Sequence, residues 1–103
     1  MLEFSNKVLL QVKMALREAG TDFDDEIRSH IEACETDLKD AGILPSFFTS
    51  EKVDPQILQA VRWYCKSVYG LYNPDMEKYD KAYRSLKSTL CTQRKYTEKS
   101  HGV

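Results

Sequence analysis

His30 and Cys34 stand four residues apart, a spacing that brings two side chains to one face of a helix and would suit two ligands of a metal ion. Zinc wants four ligands, and Cys65 and Cys91 arrive singly with no CxxC pair. Cys34 and Cys65 also fall in apolar stripes, where a free cysteine behaves as a small hydrophobe. Neither a metal nor a cofactor is expected. The cluster Asp22, Asp24, Asp25 and Glu26 offers carboxylates for acid–base or metal chemistry, but it sits where a helix begins and suits the positive end of the helix dipole. His30 lies one position off the Ile27–Ile31 stripe with no patterned partner, and His101 belongs to a polar C-terminal stretch. GxxxxGK[ST], GxGxxG and GxSxG are all absent. The residues read as those of a protein that is not an enzyme.

Cations and aromatics carry more. From Lys81 onward, Lys81, Arg84, Lys87, Arg94, Lys95 and Lys99 face only Glu98, and Tyr79, Tyr83 and Tyr96 occur among or beside them. Lys and Arg neutralise phosphates while tyrosines stack on bases, so a basic helical DNA-binding or DNA-packaging accessory is the alternative function. Tyr79 and Tyr83 lie on the stripe their helix needs for burial, which favours core tyrosines and a solvated basic face. The adjacent Phe47 and Phe48 fall outside any periodic element and serve either as a plug over the core or as an anchor for another chain. Phe47, Phe48, Arg94, Lys95, Tyr96 and Lys99 are therefore the candidate assembly interface.

The chain that must position these groups has 103 residues, 42% hydrophobic and 30% charged, with a formal charge of −1, which fits one compact domain. Residues 1–42 hold ten acidic and five basic side chains, residues 43–103 six and ten, so the near-zero total conceals a dipole in sequence. No apolar run approaches the ~20 residues of a membrane span, no secretory signal opens the chain, and three cysteines cannot all pair within it. A soluble protein of a reducing compartment, made in the cytoplasm without membrane contact, is expected.

Periodicity predicts an all-α fold of four helices. The first runs from Ser5, its cap, to Ala19 before Gly20, with Leu2 and Phe4 stapling its start or meeting a neighbour. The second is capped by Asp22 and closed by Gly42. Residues 43–53, with Pro45, form a long loop. Asp54-Pro55 opens the third helix, expected to be the most buried, and Gly70 ends it; Asn73-Pro74 opens the fourth, completing a helical hairpin. Residues 1–91 form the domain, and Thr92–Val103 is expected to be a mobile polar, basic tail.

Asp54-Pro55-Gln56-Ile57-Leu58-Gln59-Ala60-Val61, Tyr64-Cys65-Lys66, Gly70, Asn73-Pro74-Asp75, Glu77-Lys78-Tyr79, Ala82-Tyr83 and Leu86-Lys87 together resemble the small head–tail connector (adaptor, head-completion) proteins of tailed bacteriophages. The match is good over residues 54–90, with Asp54, Pro55, Tyr64, Gly70, Asn73, Pro74, Tyr79 and Tyr83 as structural positions. The resemblance implies a non-catalytic virion protein at the head–tail interface. It implies a homo-oligomeric ring, commonly a dodecamer, under the portal protein after DNA packaging, with a monomer as one option for the free chain. The ring extends the channel toward the next connector, stopper or tail-completion protein, close to packaged DNA without sequence-specific contact. An acidic first half and a basic second half suit the unlike faces that a ring requires, and residues 43–53 and 92–103 are expected at interfaces or the channel.

Overall fold

The structure, a computed structural model, describes residues 3–98. Six helices follow one another, α1 (Phe4–Leu16), α2 (Asp24–Asp40), α3 (Ser46–Thr49), α4 (Pro55–Val68), α5 (Asp75–Cys91) and α6 (Arg94–Thr97), with no strand among the described residues. Four are long, as the periodicity predicts. The two extra ones are single turns inside the stretches read as loop and tail.

Helix α4 is the centre, because α1, α2 and α5 all pack on it. Its Ile57, Ala60, Val61 and Cys65 are fully buried, while Leu58, Trp63 and Tyr64 fill the flanks of the core. From α1 come Val8 and Val12, from α2 Ile27, Ile31, Cys34 and Leu38, at the three- and four-residue steps of an amphipathic helix. Burying one such aliphatic side chain contributes about 1.5–3 kcal/mol.

The helix ends have specific causes. Helix α1 stops at Leu16, before the Gly20 terminator that the sequence suggests. Arg17 adopts the left-handed conformation at φ 60°, and the Glu18 N–H returns to the Lys13 carbonyl at 2.9 Å. Ser5 does not cap α1. It is buried inside the helix and donates its hydroxyl to Glu32 of α2 at 3.2 Å. Helix α2 begins two residues after Asp22 and closes as predicted at Gly42. With φ 112°, Gly42 donates to Lys39 and Ile43 donates to Leu38, both at 3.0 Å, a Schellman closure that drops Ile43 into the core.

The α4–α5 hairpin turns through Gly70 at φ 87°, a region where a side chain is strained. Asn73 then accepts the Asp75 N–H on its side-chain oxygen at 2.9 Å, so it caps α5 from one position further out than expected. Leu2, Lys99 and His101 lie outside the described residues.

Candidate assembly surfaces

α1 and α2 run antiparallel, as do α2 and α4, so the bundle has two ends of different construction. At one end lie the start of α1, the start of α4, and the one-turn helices α3 and α6. Phe48 is 2% exposed and meets Phe4 edge to face at 4.9 Å, and Phe47 tilts against Tyr96 at 4.8 Å. Tyr96 itself is fully buried. Its carbonyl accepts the Leu44 N–H at 2.8 Å, and its hydroxyl donates to the Asp54 carboxylate at 2.8–2.9 Å. Burial and the Asp54 carboxylate push the Tyr96 hydroxyl up to about 12.

These contacts correct two expectations. Thr92–Glu98 is not a free tail, because α6 inserts its one aromatic beneath the loop that carries α3. Of the two readings of the Phe47–Phe48 pair, the plug applies within this chain: Phe48 is core and Phe47 half-buried. Arg94 and Lys95 of the candidate interface stay outside. Arg94 reaches Glu98 at 3.5 Å, and Lys95 lies 5.1 Å above the outer face of the Tyr96 ring. Asp54, chosen in sequence as a backbone cap, makes no side-chain cap bond and spends its carboxylate on Tyr96.

Between the ends, the tyrosines of the α4–α5 segment form a frame. Tyr64 and Tyr83 stack edge to face at 5.2 Å, Tyr83 donates its hydroxyl to Asp37 of α2, and Lys87 donates to the same carboxylate at 3.0 Å. Burial alone would raise Asp37; the Tyr83 hydroxyl and the Lys87 ammonium outweigh it and hold the carboxyl below its ordinary value. Tyr83 is core, as predicted, whereas Tyr79 is only half-buried under the Lys66 ammonium, 4.6 Å from its ring centre. Along this polar cleft Arg84 sits on Asp80 at 2.9 Å beside the Lys87–Asp37 pair, and the exposed Asp40 has no ion-pair partner among the described residues. No three His, Cys, Asp or Glu groups stand together to hold a metal among the described residues.

The sequence dipole is partly cancelled in space. Lys87 of α5 joins the two halves by pairing with Asp37 of α2 at 3.0 Å, whereas Lys13 of α1 and Asp24, 2.8 Å apart, pair within the acidic half. Many charges are in no ion pair among the described residues, including Lys78, Lys81, Asp75 and Glu77 on α5 and Asp22 before α2.

The opposite end is open. Here the α1–α2 turn and the α4–α5 turn leave Phe23 49%, Val68 40%, Leu71 91% and Tyr72 73% exposed. Phe23 and His30 both approach Tyr69 edge to face, at 6.4 and 6.3 Å, and Glu18 and Glu26 rim the shallow groove between them. Partial burial and these two carboxylates push the Tyr69 hydroxyl up to about 12. Leu10 and Met14, 65% and 71% exposed, form a separate apolar ridge on the outer side of α1. Neither the groove nor the ridge was singled out by sequence reasoning, since Leu10, Phe23 and Leu71 are unremarkable until the helices fix which way they face.

Apolar side chains thus stay uncovered on two separate faces of the chain. The sequence matches the model of the phage connector protein family over residues 8–97. This chain belongs to that family. The match takes in α1 from Val8 onward, all of α2 and α6, well beyond the residues 54–90 that carried the resemblance. No curated protein and no solved structure matches the chain. A phage connector is a structural component of the virion, not a member of an enzyme class. No helix among the described residues is long and apolar enough to cross a membrane.

Proposed function

We propose that this connector is a head–tail adaptor subunit: copies made in the host cytoplasm assemble as a ring under the portal protein after DNA packaging and extend the DNA channel toward the tail or stopper. The observation that carries the reading is the family match across residues 8–97. The physical make-up supports it. A net charge of −1 lets many copies gather without strong mutual repulsion, and the exposed apolar side chains of the open end and of α1 offer surface for burial. Residues 43–53 and the segment from Thr92 onward, with Lys99 in it, are offered as portal or channel contacts.

Mixing the purified chain with portal particles of its own phage and imaging the product by electron microscopy tests the reading. A ring of added density on the tail-facing side of the portal is expected, formed with or without DNA. Lys78, Lys81 and Lys95 favour the second reading, a DNA-binding accessory. In that case the free chain binds duplex DNA with a steep salt dependence and leaves the portal bare.

A further inference from the structure

Two uncovered apolar surfaces on one chain differ in shape and in charge. The first is a convex ridge: Leu10 and Met14 lie one turn apart on the side of α1 opposite the buried Val8 and Val12, and the exposed Arg17 follows at the C-terminus of the helix. The second is concave, the groove walled by Phe23, Val68, Tyr69 and Leu71 and rimmed by Glu18 and Glu26. Arg17, exposed and left-handed, follows the ridge at the α1 terminus, and the next residue, Glu18, lines the groove. None of the ridge residues lines the groove of its own chain.

We propose that the Leu10–Met14–Arg17 ridge of one copy seats in the Phe23–Leu71 groove of the next. Groove against groove would set carboxylate rims face to face. Ridge into groove brings the Arg17 cation to the Glu18 and Glu26 carboxylates while both apolar patches leave water. The contact is heterologous: each added copy presents one unused ridge and one unused groove, so addition continues until the ring closes. The inference rests on the ring reading above and assigns that ring its subunit contact.

The test uses full-length chains in which the half-exposed Cys91 is replaced by serine; Cys34 and Cys65 are buried. Chains carrying Met14→Cys and Leu71→Cys are mixed, added to portal particles of the same phage, mildly oxidised and imaged. Rings are expected, with disulfide-linked dimers from the mixture, from neither chain alone, and a ladder of oligomers from the double variant. The L10E/M14E variant changes only exposed positions. It should melt as the wild type does yet load onto the portal at least about tenfold less, the scale of losing central anchors of an interface. Rings that form without the Met14→Cys to Leu71→Cys disulfide, or that L10E/M14E fills as well as wild type, overturn the contact and leave the ring reading standing. A portal that gains no ring from the wild-type chain overturns both.

Discussion

The two ends of this bundle use similar aromatic residues for opposite purposes. At the sealed end, Phe4, Phe48 and Tyr96 are at most 4% exposed, and the buried Tyr96 bonds Asp54 through its hydroxyl and Leu44 through its carbonyl. At the open end, Phe23, Leu71 and Tyr72 stay between 49% and 91% exposed although the same kind of turn chemistry, glycine and proline beside a helix start, shapes the backbone. The difference lies in whether a second segment crosses over. α3 and α6 cover one end, and nothing in the chain's described residues covers the other.

That contrast can be broken most strongly by Tyr96→Ala. Removing a fully buried aromatic should cost about 3–5 kcal/mol in denaturant unfolding, because it leaves a cavity against Phe47 and strips Asp54 of its donor. Tyr96→Phe, which keeps the ring, should cost about 1.5–3 kcal/mol, the range for a hydrogen bond to a charged group. It also sharpens the pH dependence. A tyrosine whose hydroxyl is pushed up to about 12 holds its proton more tightly folded than unfolded, where the ordinary value is near 10. The stability it supplies is intact below pH ~10 and is lost as the pH climbs through about 12. Alkaline unfolding of Tyr96→Phe, followed by circular dichroism, should therefore be shallower over that window than for wild type.

Smaller effects belong to the open end. Arg17→Gly relieves a left-handed residue at the α1 terminus and should stabilise the isolated chain by about 0.5–1 kcal/mol, read as a higher melting temperature. Leu71→Ser, at a site 91% exposed, should shift unfolding by no more than about 0.5 kcal/mol. A large loss from Leu71→Ser would mean that this end is packed after all, and would erase the distinction between the two.

How much of this was legible in sequence follows from element length. The four long helices each carry several turns of apolar period, and Gly42, Gly70 and Asn73-Pro74 mark real boundaries, so the scaffold could be read directly. α3 and α6 are single turns, too short for any period to register, and their residues therefore looked like loop and tail. Tyr96 is one aromatic in a polar stretch, and its partner Asp54 lies 42 positions earlier, where the more local explanation, a backbone cap, was available. Arg17 in place of a glycine hid the true end of α1. The assembly surfaces were the least legible of all. Exposure of Leu10 or Leu71 is a property of orientation, and orientation arises only when α1 and α4 lie against α2.

The Tyr96 clasp has a kinetic corollary. Its bonds to Leu44 and Asp54 join segments 52 and 42 positions apart, whereas α4 and α5 meet through a turn of a few residues. Closing the longer loops costs more chain entropy before any contact rewards it. The hairpin should form first and the aromatic seal last, so an unfolding molecule peels from α6, and a protease should nick there before it reaches the hairpin.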